Sequence, residues 1–232
     1  MFYDMDKVPW VSKQEIKAEA DSLLLDYEIF QGIPVETPIP VENIIESHLG
    51  FVLEYEDLQA ILGFDDVLGA TWLQQKRIVI NENLLKENLG RMFFTCGHEI
   101  GHILLHNKYV LEVGRDSLDT YARQGIVCRE KGSKKRGEWQ ADYFSACLLM
   151  PEEKVRKAFK QVFGLSPLII HNKKSCFARG RFLFDPAWDR VKDFASMVMQ
   201  KGNFTNVSKE AMRVRLEDLG FLIDNTQNQL LI

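Results

Sequence analysis

His98-Glu99-Ile100-Gly101-His102 sets two imidazoles four residues apart with a carboxylate between them. On a helix, four residues turn through about 400°, so His98 and His102 share a face and can grip one ion. Glu99 stands about 100° round the axis from His98, where its carboxylate can take a proton from a water beside that ion. The chemistry this spacing supports is metal-assisted hydrolysis. A helix with two satisfied core histidines would carry the same residues. A third ligand separates the two readings, because a catalytic zinc takes three protein ligands and keeps a fourth position open. Glu138 and Asp142, also four apart, lie on a segment whose Ala141, Phe144, Ala146, Leu148 and Leu149 give it an apolar surface for packing on the first helix. Glu138 then completes the metal site, and Asp142 accepts the outer N–H of a ligating histidine and fixes its tautomer. The competing reading of this pair is a solvated acidic face.

The two runs, His98 to His106 and Glu138 to Pro151, together resemble the ImmA/IrrE family of bacterial and phage metallopeptidases. That family's pattern is HExGHxxLH followed by ExxAN/DxFAxxLLMP, and Ser145 stands where alanine is usual. The resemblance implies His98, His102 and Glu138 as zinc ligands, Glu99 as catalytic base and Asp142 as the partner behind a ligand, in agreement with the spacing argument. Weaker likeness runs through residues 40–45, 77–81 and 207–220. The segment from Asn107 to Gly137 is longer than the family's. By the same resemblance the substrate is a specific intracellular protein, typically a helix-turn-helix repressor whose cleavage relieves repression in a mobile element or a stress response.

His106 lies one further turn along, roughly 12 Å from His98 down the axis, too far for one ion to hold all three histidines. It reads as a residue of the helix C-terminus, favoured there by the dipole. Cys96, Cys128, Cys147 and Cys176 are too scattered for a disulfide framework or zinc knuckle and read as reduced thiols. Cys96 is about 200° from His98 and Cys147 half a turn off Glu138, so both face packing. Cys128 reads as an ordinary loop cysteine, the alternative being a thiolate that caps the open metal position. Tyr121, Tyr143 and His171 are further donors available to an oxyanion, each with a structural role as the competing reading.

These side chains need elements to hold them. Ser12 to Glu15 form a capping box that opens a helix through Ile16, Ala20, Leu23, Leu24 and Tyr27. Pro40 starts a short helix through Ile44 and Ile45 that closes near Gly50. Residues 51–55, 69–73 and 77–81 read as strands of a small antiparallel sheet, the last two joined as a hairpin. The metal helix is expected from about Leu85 to His106, burying Leu89, Met92, Phe93, Cys96, Ile100, Ile103 and Leu104. The connector from Asn107 to Gly137 is a long loop with a basic run, Lys131 to Arg136, that reads as a solvated charged loop. Pro151 restarts a helix to about Phe163, Asp185-Pro186 caps another ending near Gly202, and Ser208 opens one to Leu219. A closing hairpin about Asp224-Asn225 would complete a winged-helix-like appendage. The expected architecture is α+β, with a gluzincin-type zincin-like domain over 1–165 and a C-terminal helical appendage over 166–232.

The chain has 232 residues, 46% hydrophobic and 27% charged, enough for a sizeable core. A net charge of −4 gives no general attraction to nucleic acid or an anionic membrane. The first residues show no targeting pattern and no run reaches membrane-span length, so a cytoplasmic location is expected. The rival function is a non-hydrolytic zinc-bearing regulator acting by protein or DNA contact. Its candidate DNA helix offsets Lys209 and Arg213 with Glu210, Glu217 and Asp218, whereas a phosphate-tracking helix is predominantly basic. An intact Glu99 also disfavours it, since a regulator has no need of a base beside the metal. The expected function is therefore a zinc-dependent endopeptidase, with Zn2+ as cofactor and a protein as substrate.

Overall fold

The computed structural model describes residues 4–63, 65–114, 125–129, 135–172, 175–178, 181–184 and 190–224. The chain divides into two compact units, Met1–Leu149 and Met150–Ile232. The first contains α1 (Lys13–Gln31), α2 (Val41–Asn43) running into a π-helical turn over Ile44–His48, β1 (Val52–Glu56), α3 (Leu58–Leu62), β2 (Val67–Trp72), β3 (Arg77–Asn81), α4 (Asn83–Glu87), α5 (Leu89–Gly114), β4 (Ile126–Arg129) and α6 (Arg136–Leu149). The second contains α7 (Glu152–Phe163), β5 (Leu168–Asn172), β6 (Ser175–Ala178), β7 (Arg181–Phe184), α8 (Arg190–Lys201), α9 (Lys209–Asp218) and β8 (Leu222–Asp224).

Local chemistry sets the helix ends of the first unit. Ser12 Oγ accepts from Glu15 N while Glu15 Oε2 accepts from Ser12 N, the reciprocal bonds of a capping box, and Gly32 at φ 75° closes α1. The metal helix is shifted from expectation. Asn88 leaves helical geometry and caps α5 through its side chain, with Arg91 N donating to Asn88 Oδ1 at 3.0 Å, so residues 83–87 form a separate turn. α5 then runs on to Gly114, two turns past His106, with nothing at His106 to stop it. Leu89, expected in the core, is exposed in the first turn. From Thr95 to Ile103 every residue of α5 is buried, because α6 packs on one side and the sheet on the other.

The sheet order is β1-β3-β2-β4, and it is mixed rather than antiparallel. β1 pairs parallel with β3, since the chain passes through α3 and β2 before returning beside it, while β2 is antiparallel to both β3 and β4. β4 lies inside the stretch expected to be a loop. Four residues of strand with no alternation of polarity carry too little pattern to be read alone. Cross-strand pairs share a face, so Ala70, Val79 and Val127 lie on the side covered by Leu58 and Leu62 of α3. Gly69, Thr71, Ile78, Ile80 and Cys128 lie on the other, toward α5.

The second unit is α+β, not helical. Its sheet runs β7-β6-β5-β8, with β8 parallel to β5, so the first half of the expected closing hairpin is a strand added to a sheet formed by 168–184. The other half of that hairpin, the Asp185-Pro186 cap, Tyr121 and most of the basic run at 131–136 lie outside the described residues, as does the side chain of His171. α7, expected to end the catalytic domain at 165, groups with this unit and packs on α8. Its core gathers Val155, Phe159, Phe194, Val198, Phe204, Met212 and Leu216. Arg215 is buried with Nε donating to Met150 O at 3.1 Å and one Nη to Asp218. Arg213 is paired with both Glu210 and Glu217.

Candidate metal centre and active site

The close crossing of α5 and α6 makes the site. A Cβ at Gly101 would lie 3.0 Å from Ala141 Cα, so these helices meet backbone to backbone, bringing the turn of His98 and His102 against the turn of Glu138 and Asp142. Ser145, in the position where the family pattern has alanine, donates from Oγ to Phe94 O at 2.7 Å and ties the helices together.

The structure brings His98, Glu99, His102, Glu138 and Asp142 together. His98 Nε2 and His102 Nε2 are 2.9 Å apart, and the Glu138 carboxylate stands 3.3 Å from the first and 3.5 Å from the second. His98 Nδ1 meets Asp142 Oδ1 at 2.8 Å. A carboxylate only accepts, so His98 donates from Nδ1 and turns the lone pair of Nε2 inward.

His102 is oriented by a longer chain that includes a residue assigned otherwise from sequence. Gln140 Nε2 donates to Pro9 O at 3.0 Å, and a backbone carbonyl can only accept, so Gln140 presents Oε1 to His106 Nε2 at 2.8 Å. His106 then donates from Nε2, leaving Nδ1 as the acceptor for His102 Nδ1–H at 2.9 Å. His102 Nε2 therefore also carries a lone pair into the site. His106 is fully buried and belongs to this relay rather than to a helix end. Its i+4 spacing from His102 was the available signal.

The result is a cluster of acceptors: two imidazole lone pairs and a carboxylate, each within 3.5 Å of the others. Such groups repel unless a positive charge lies among them, either a metal ion or the proton that His98 takes up. A tetrahedral ion with nitrogen bonds of about 2.0–2.1 Å separates its ligand atoms by roughly 3.3 Å, close to the spacing here. The residues fit a metal ion. Burial, together with the neighbouring His98 and His106, holds His102 well below the usual imidazole pKa, the neutral form that a metal requires. Burial also opposes a proton on His98, but Cys128, Asp142 and Glu138 around it raise its pKa, so an ion entering the site competes with a proton there.

Glu99 is fully buried, and burial pushes its carboxyl up to about 7, with His98 and the Thr71 hydroxyl opposing. Thr71 Oγ1 donates to Glu99 Oε2 at 2.6 Å, while Oε1 has no hydrogen-bond partner within the protein. One oxygen is held and the other is left for a ligand. A Cβ on Gly69 would come within 2.7 Å of that free oxygen, so β2 approaches this closely only because residue 69 is glycine. Thr71 and Gly69 were not identified from sequence as site residues, because a strand 28 positions from Glu99 reaches it only through tertiary folding.

Cys128 departs most from its reading. It is buried on β4 rather than in a loop, and with His98 and Glu138 forms a group whose ligand atoms all lie within 4.8 Å of one another. Tyr143 does not point to an oxyanion role. Its ring stacks on Trp139, which stacks on Trp10, and Lys13 Nζ lies 4.9 Å from its centre.

Among the described residues no helix is long and apolar enough to cross a membrane. No curated protein matches the chain. A comparison with family profiles does match, over residues 47–164, just over half of the chain, which takes in β1 to α7 and with them every site residue from Gly69 to Asp142. The acceptor cluster thus lies inside a recognised peptidase domain, and the chain belongs to the Peptidase_M78 family, whose IrrE N-terminal-like domain it carries.

Proposed function

We propose that this protein is a zinc-dependent endopeptidase in which His98, His102 and Glu138 hold the ion and Glu99 is the general base. The observation that carries the reading is the acceptor-only convergence of the first three groups beside a buried carboxylate with one free oxygen. When bound, zinc supplies Lewis acidity, polarising a peptide carbonyl and lowering the pKa of an adjacent water. Glu99 Oε1 takes the proton of the attacking water while Thr71 keeps Oε2 from turning away. The same carboxyl then returns the proton to the departing amine nitrogen. A pKa near 7 suits both halves of that exchange at neutral pH. Among the described residues β4 is an edge strand of the sheet, and an extended substrate segment paired along it would run past the site.

The resemblance to the ImmA/IrrE family supplies the substrate class, a helix-turn-helix repressor. A DNA-contact regulator is less well supported: Arg213 is neutralised by two glutamates and Arg215 is buried, so neither is offered to phosphates. The test is to incubate zinc-loaded wild type and Glu99→Gln with purified helix-turn-helix repressors as candidate substrates and weigh the products. Wild type is expected to give one discrete cut, and Glu99→Gln to keep its zinc and lose about 10²- to 10⁴-fold in rate. Equal cleavage by both proteins would sink the mechanism.

A further inference from the structure

The open fourth position that a hydrolytic metal site needs has an occupant at hand. β4 pairs antiparallel with β2 so that Cys128 stands opposite Gly69. Gly69 is the residue whose lack of a side chain makes room for Glu99. Cross-strand partners point to the same face, so the thiol is directed to the side of the sheet on which the Glu99 carboxylate lies. Cys128, His98 and Glu138 each offer one ligand atom, all within 4.8 Å of one another, a grouping that could hold one metal ion. A second, independent observation is the acceptor cluster itself. His98 and Glu138, which Cys128 joins, are the same groups that converge with His102 and call for a cation. Among the described residues Cys128 is in no disulfide.

We propose that Cys128 Sγ is the fourth metal ligand of the resting protein, closing with a thiolate the position that hydrolysis requires for water, so that the metal-loaded peptidase is latent. The inference rests on the metal reading of His98, His102 and Glu138. As the metal–sulfur bond forms, the S–H bond breaks and its proton leaves to solvent, since a coordinating thiol is held deprotonated. Opening reverses this: the metal–sulfur bond breaks, the thiolate recovers a proton and the position passes to water. β4 is suited to such a movement, being four residues long, paired only with β2 among the described residues and adjacent to a register irregularity between Val67 and Gly69. A substrate segment that pairs along β4 would act on the strand that carries the cap.

The probe is Co2+, titrated into metal-free full-length wild type, Cys128→Ala and Cys128→Ser, with the optical spectrum as readout. Wild type is expected to bind one equivalent with a sulfur-to-cobalt charge-transfer band in the near ultraviolet. Both variants are expected to bind one equivalent without that band, at least about tenfold more weakly, the lower end of what loss of even an outer partner costs. Acetohydroxamate, which needs a free position, should perturb the cobalt spectrum of the variants at concentrations at least about tenfold below those needed for wild type. Wild type binding one Co2+ with no charge-transfer band overturns the proposal and leaves the metallopeptidase reading standing. Persistence of the band in both variants overturns it too, assigning the sulfur to another cysteine. Failure of wild type to take up Co2+ brings down both readings, and identifies the metal reading as the one that failed. If the variants lose their circular dichroism, X-ray absorption on zinc-loaded wild type decides: a sulfur at about 2.3 Å supports the cap and a nitrogen and oxygen shell alone overturns it.

Discussion

Gln140 decides which nitrogen His102 offers to an ion, although it touches neither. Its amide is held by Pro9 O, so its oxygen faces His106, and the proton order down to His102 follows. All three side chains are buried, so no water can replace a missing member. Gln140→Leu is therefore expected to weaken zinc binding by about 10- to 100-fold in competition with a chromophoric chelator. Asp142→Ala is expected to cost only a few-fold, because the Asp142 side chain is 60% exposed and water can take its place behind His98. Equal losses would mean that burial is not what gives the Gln140 relay its weight. His98 with His102 and Glu138 with Asp142 were readable in the sequence as pairs one helical turn apart, and Glu99 as the carboxylate next to the first of them. His106 has the same spacing but was read as a helix end, since nothing local announces that α5 continues to Gly114.

At the scale of elements, β2 holds the base and α5 carries it. Gly69 and Thr71 sit two apart on the face of β2 toward Glu99, one making room for the carboxylate and the other fixing it. Gly69→Ala is expected to push Glu99 off its position, because the added Cβ lies 2.7 Å from Oε1 and 2.8 Å from Thr95 Cγ2. Turnover of the cleaved repressor should fall by about 100-fold, as for a base displaced by an ångström, with zinc content unchanged. Thr71→Val, which keeps the shape and removes the donor, should cost about tenfold and likewise spare the metal. Loss of zinc in either variant would show that the strand supports the ligands rather than the base. α1 and α6 were readable from a capping box and apolar periodicity, and β3 from its run of β-branched residues. β4 was not, because its four residues are defined by pairing to β2 and not by any pattern of their own. The parallel return of β1 beside β3 is a property of the path through α3 and β2, which no single strand encodes.

For the molecule as a whole, every proposed ligand lies in the unit Met1–Leu149, and Met150–Ile232 contributes none. The sequence placed that division after α7, where Gly164 stops a helix. The family match likewise runs to residue 164, while by packing the apolar face of α7, with Val155, Ala158 and Phe159 buried, joins a core with Phe194 of α8 some 35 residues along the chain. A ligand that binds only the folded first unit stabilises that unit by RT ln(1 + [L]/Kd), about 4 kcal/mol at a thousandfold excess over Kd. For a unit of this size, that corresponds to roughly 10 °C in its unfolding midpoint. Scanning calorimetry with and without a chelator should accordingly move one transition down by about this amount and leave the other in place. Glu138→Ala should start at the lowered midpoint and show no further response to chelation. A chelator that shifts both transitions together would mean that the two units unfold as one, and a shift retained in Glu138→Ala would mean that the stabilising ion sits somewhere other than between α5 and α6.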